Sequence, residues 1–201
     1  MSRWASLNTL SVLLCCIGSG SLLAAESPPD ATQPAVRQAE RSVQGARDAQ
    51  AMARQTAAEA RDIAKRADEL AASVRKAGSC APVSSQTGLV SVCFTNGARY
   101  YGEMKDGRFD GLGVYVAADG YMIKGEWRQG EQHGLGVTIS QNGYVTQGEM
   151  LGGKATGYGV GIGASGRYEG QWKSGARDGL GVETTEDAIT EGEWSNGSLK
   201  R

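Results

Sequence analysis

The chain has 201 residues, with 21 Lys and Arg set against 22 Asp and Glu for a formal net charge of −1. That length permits one or two domains, and the balance of charge excludes the strongly basic surface on which a nucleic-acid grip rests. Thirty glycines would suggest low complexity, but they recur at a fixed period, which excludes a disordered reading.

In chain order, residues 1–25 carry Arg3, an apolar run from Leu10 to Ile17, and Leu22-Leu23-Ala24-Ala25 ahead of Glu26. This is the pattern of a secretory signal peptide cleaved after Ala25, and it predicts an exported protein, periplasmic or secreted. The alternative is an uncleaved inner-membrane anchor, against which Gly18, Ser19, Gly20 and Ser21 dilute the apolar run.

Residues 26–34, with Ser27-Pro28-Pro29-Asp30, read as a stiff polar linker. Residues 35–77 are rich in Ala, Arg, Gln and Glu and predict one long helix. Every third and fourth residue, Val36, Ala39, Val43, Ala46, Gln50, Ala53, Ala57, Ala60, Ala64, Ala67, Ala71 and Val74, forms an unbroken heptad seam. At helical rise that seam is a rod of roughly 58 Å. The expectation is a stalk that self-associates through the seam as a coiled coil, making the protein a homo-oligomer; the alternative is a lone helix solvated by its charged face.

Residues 78–96 form a connector. Cys80 and Cys93 are the two cysteines left once the leader is removed, and an even pair in an oxidising compartment reads as a disulfide, with two free thiols as the alternative. No further Cys or His stands near them in the sequence, so a metal site is not expected. Val90-Ser91-Val92-Cys93-Phe94 alternates, and predicts a capping strand pinned by that bridge at the edge of a sheet.

Residues 97–201 spell one pattern four times and open it a fifth. The copies centre on Tyr100-Tyr101-Gly102-Glu103-Met104, Ile123-Lys124-Gly125-Glu126-Trp127, Thr146-Gln147-Gly148-Glu149-Met150, Tyr168-Glu169-Gly170-Gln171-Trp172 and Thr190-Glu191-Gly192-Glu193-Trp194. Their first glycines are 23, 23, 22 and 22 residues apart, and a fixed period in that range marks a repeat array. Each copy predicts a β-hairpin turning at Gly107, Gly130, Gly153 or Gly175, with an apolar ladder such as Leu112, Val114 and Val116 on one face of the returning strand. On the other face Gly111, Gly113 and their counterparts leave flat backbone against which a ring can lie.

The pattern Tyr-x-Gly-x-Trp-x-x-Gly-x-x-x-Gly-x-Gly resembles the MORN repeat, the "membrane occupation and recognition nexus" family. The resemblance covers roughly the C-terminal half. It implies a mainly β fold, consecutive hairpins stacked into one elongated antiparallel sheet, used as a scaffold or docking surface; the long helix is added at its N-terminal side. This chain departs from the pattern at Ile123, Thr146 and Thr190, where Tyr is usual, and at Met104 and Met150, where Trp is usual.

Several motifs imitate chemistry. Gly161 to Gly166 spells a dinucleotide fingerprint, but in hairpin register, where no helix N-terminus follows to face a pyrophosphate. His133 has no nucleophile beside it in the pattern, and the glutamates that recur beside the repeat glycines read as a solvated acidic edge. No nucleophile, base and orienting group converge, so the expectation is a non-enzyme without cofactor or metal. The candidate binding residues are Tyr100, Glu126, Trp127, Tyr168 and Trp172, read as a shallow groove for a protein partner or other envelope component. The alternative use is binding of lipid or glycan, with possible membrane contact.

Overall fold

The computed structural model describes residues 32–76, 80 and 86–200; the expected leader and most of the expected linker lie outside them. One helix, α1 (Thr32–Lys76), precedes eleven strands: β1 (Gly88–Cys93), β2 (Arg99–Lys105), β3 (Arg108–Val116), β4 (Met122–Arg128), β5 (Glu131–Ile139), β6 (Val145–Leu151), β7 (Lys154–Gly163), β8 (Gly166–Lys173), β9 (Ala176–Thr184), β10 (Ile189–Ser195) and β11 (Ser198–Leu199). The strands lie in chain order in one open antiparallel sheet.

The hairpins form where the glycines predict them. Asp106-Gly107 and Gln129-Gly130 both adopt positive φ, as a two-residue type I′ turn requires, and the flanking Lys105 and Arg108 pair directly. Successive copies interlock at these turns. The Gly130 N–H donates to the Phe109 carbonyl at 2.8 Å, and the Gly153 N–H to the Gln132 carbonyl at 3.1 Å. The two repeat glycines face each other across the hairpin in the first four copies, as Gly102 with Gly113 and Gly125 with Gly136.

Cys80 and Cys93 are paired, their Cα atoms 5.5 Å apart. The bridge ties the chain just beyond α1 to β1, which caps the sheet by pairing with β2 from Gly88–Met104 to Cys93–Arg99.

The helix is not a stalk. α1 lies across one face of the sheet and touches every strand from β1 to β10. Ala46, Ala53, Ala57, Ala60, Ala67 and Ala71 are all fully buried there. Ala67 and Ala71 pack on Tyr101 and Val114, and Ala53 and Ala57 on Val160. The expected self-associating seam is therefore occupied within the chain. The physical reason is reciprocal need: the valine ladder of a sheet face must be covered, and a seam of methyl groups admits the helix close to it. From Thr32 to about Val43 the helix extends beyond the covered stretch, with Val36 52% exposed.

Candidate docking surfaces

The helix face is joined by five rungs at a constant step. Arg47 donates to Glu191 at 3.1 Å, Arg54 to Glu169 at 3.0 Å, and Arg61 to Gln147 at 2.7 Å. Lys124 donates to Asp68 at 2.8 Å, and the Arg75 guanidinium lies 4.3 Å from the centre of the Tyr101 ring. The helix positions 47, 54, 61, 68 and 75 are seven apart, and their partners are in each case the residue before the first repeat glycine. Seven residues of helix advance about 10.5 Å and two strands about 9.6 Å, so one heptad measures one repeat. Asp68–Lys124 is the only rung whose helix member is acidic, and it fixes the register. A slide of one heptad either way would set an arginine, Arg61 or Arg75, against Lys124.

Glu169 is the most enclosed of these partners, 2% exposed. Gln50 donates to it at 2.6 Å and Arg167 at 2.7 Å, besides Arg54. Burial pushes its carboxyl pKa up, but the hydrogen bonds from Arg54, Arg167 and Gln50 outweigh this and hold it below the usual glutamate value. A depressed folded-state pKa adds stability that is fully present above the unfolded value, about 4.3, and is lost as pH falls through the folded one. Glu169→Gln should therefore flatten the fall of melting temperature below about pH 4. An unchanged acid limb would show that the carboxylate is not linked to folding.

Apart from the exposed Glu193, the recurring glutamates are not a solvated edge. Glu103, Glu126 and Glu149 each bend back to accept the backbone N–H of Leu112, Leu135 and Tyr158, at 2.6, 2.6 and 3.0 Å, and Gln171 does the same for Leu180 at 2.7 Å. These bonds close an irregularity in the ladder beside each repeat glycine. Glu126 serves this backbone role and shares the helix face with Leu112 and Lys124, whereas Trp127 is on the opposite one.

That opposite face is where the predicted rings lie, and they are packed rather than open. Tyr100 and Tyr168 are fully buried and Trp127 and Trp172 each 7% exposed. Tyr100 stacks on Phe109 at 3.8 Å and meets Trp127 edge-on at 5.6 Å; Tyr168 meets Trp172 at 5.4 Å and Trp194 at 5.3 Å. The indole N–H groups of Trp127 and Trp172 donate to the carbonyls of Gly113 and Gly159. Burial raises the phenol pKa of Tyr100 and of Tyr168. The continuous groove expected from these residues is thus replaced by two ring clusters that fill the spaces over the glycines. Rings laid on bare backbone gain more by excluding water than by facing it.

Beside the rings of the second cluster the face opens. A cleft of 340 Å³ is lined by Tyr144, Thr146, Gly161, Trp172, Arg177 and Glu183, with Tyr168 also at its wall. It exists because the third copy has small residues where the first has rings: Thr146 stands at the position of Tyr100, and Gly161 at that of Tyr115. Arg177 pairs with Glu183 along β9, at one wall of the cleft, and lies 4.5 Å over the Trp194 ring. A second cleft of 590 Å³, lined by Tyr115, Tyr121 and Gln141, opens at the turn end of the first cluster.

Of the five predicted groove residues, Tyr168 and Trp172 belong to the second cluster and border its cleft, Tyr100 and Trp127 belong to the first cluster, and Glu126 closes its own hairpin. Sequence reasoning missed Arg47, Arg54, Arg61, Asp68 and Arg75. Their seven-residue spacing alongside the repeat period was the available signal. His133 pairs in the ladder opposite Leu151, and Gly161 to Gly166 span the β7–β8 turn, as their hairpin register predicts. Among the described residues no helix is long and apolar enough to cross a membrane.

The comparison with protein families matches the MORN repeat at residues 100–120, 124–143 and 168–187. No curated protein matches the chain.

Proposed function

We propose, for a chain whose repeats belong to the MORN family, a non-enzymatic scaffold of the cell envelope that docks a protein partner on the open face of its sheet. MORN repeats are generally protein- or membrane-binding repeats, which supports the reading. The observation that carries the reading is the asymmetry of the sheet. One face is covered along its length by α1, while the other carries two packed ring clusters and a cleft walled by rings of the second. A groove pre-formed by packed rings binds without first ordering itself, which lowers the entropic cost of association. Arg177 and Glu183 at the cleft supply a donor and an acceptor for an extended segment. On this reading residues 1–25 act as an export leader and the docking takes place outside the cytoplasm.

A photo-reactive residue at Thr146 or Ser165, on the cleft, should give a discrete protein adduct in intact cells. The same probe at Glu59, on the outer side of α1, should not. Adducts formed from Glu59 alone, or only with lipid or glycan, would contradict the reading.

A further inference from the structure

The rung pattern does not stop where the sheet does. Stepping back one heptad from Arg47 reaches Glu40, which is exposed on the part of α1 that projects past β10. The same step carries the buried pair Ala53 and Ala57, which holds Val160, through Ala46 and Gln50 to Ala39 and Val43. Beneath this projection the outer edge of β10 from Ile189 to Gly192 pairs with no strand among the described residues, and Ile189 is 69% exposed. A helix face spaced for one more repeat thus stands beside the sheet edge to which that repeat would add.

We propose that this end of the molecule is a docking site for a β-hairpin of a partner protein, added edge-on to β10 and covered by the projecting turns of α1. Backbone pairing along β10 supplies affinity, as in strand addition generally. Specificity comes from continuing the rungs. An acidic helix member calls for a basic residue before the hairpin's glycine, as Asp68 does with Lys124, so the incoming hairpin carries Lys or Arg opposite Glu40 and a branched apolar residue against Ala39 and Val43. The two-residue β11, held by Trp194–Leu199 and Ser195–Ser198, is what the incoming strand displaces. A second copy of this chain does not fit, because its own five rung positions are already filled by its own helix. The site is separate from the open face and does not rest on the function proposed for it.

The probe is a labelled peptide of residues 120–141, the second copy, whose Lys124 stands before its glycine. An isolated hairpin is marginal in water, so it orders on binding. Fluorescence anisotropy with the full chain should show saturable binding. Glu40→Lys in the protein, or Lys124→Glu in the peptide, should each weaken it at least fivefold, and the two together should restore it to within about twofold. Asp48→Lys, on the stretch of α1 already docked, should leave it unchanged. No saturable binding, or reversals that fail to compensate, overturns the proposal. So does a concentration-dependent dimer of the protein that Glu40→Lys abolishes, because the occupant would then be a second copy.

Discussion

Asp in place of Ala57 should lower stability by on the order of 3 kcal/mol, because it sets a carboxylate against Val160 in a contact with no room for water. Ala51→Asp is the control, since Ala51 is on the exposed side of the same helix. That change carries only the loss of helix propensity, about 0.6 kcal/mol. The consequence should spread beyond α1. With the helix lifted, the valines of β3, β7 and β9 lose their cover, and thermal melting monitored by circular dichroism should show helix and sheet lost together at a lower temperature. A free stalk would behave in the opposite way: Ala57→Asp would change its oligomeric state in light scattering and leave the melting of the sheet unaltered.

Val in place of Gly113 should cost about 3 kcal/mol, by overpacking together with a lost hydrogen bond. A Cβ at Gly113 would lie 2.2 Å from the Tyr100 hydroxyl and 2.5 Å from its ring. The ring cannot yield, being stacked on Phe109 and tied by its hydroxyl to the Glu103 carbonyl at 2.7 Å. Hydrogen exchange should quicken first in β1 to β4 and later in β7 to β10, since each repeat contacts mainly its neighbours. The double variant with Tyr100→Ala should be no less stable than Tyr100→Ala alone, because the clash and the ring are removed together. Additive losses would show that Gly113 matters for some reason other than seating that ring.

The hairpins were legible because a turn such as Asp106-Gly107 is a local decision, taken by residues that tolerate positive φ, and the 22- and 23-residue periods repeat it. The helix was legible for the same reason, from composition and heptad spacing. What the seam packs on was not legible residue by residue: a row of alanines at heptad spacing suits a second helix and a valine-laddered sheet equally well. The two candidates were separable only by setting one period against the other, since Arg47, Arg54, Arg61, Asp68 and Arg75 march at seven while Glu191, Glu169, Gln147, Lys124 and Tyr101 march at 22 or 23. The rings failed for a different reason. Tyr100 and Trp127 carry the same signal whether they line a groove or fill one, and the outcome turns on the glycines beneath them, whose bare backbone lets the rings sink until little is exposed. The cleft beside the second cluster was half visible, in Thr146 standing where Tyr is usual. Its floor at Gly161 needed the strand register.

α1 is part of the repeat sheet's own core, and native-state amide hydrogen exchange measures this directly. Amides from Ala46 to Val74 should open with the same free energy as those of β4 to β9, by global unfolding alone, while those from Val36 to Val43, on the projecting turns, exchange much sooner. Uniformly rapid exchange along the whole helix, with the strands still protected, would contradict it.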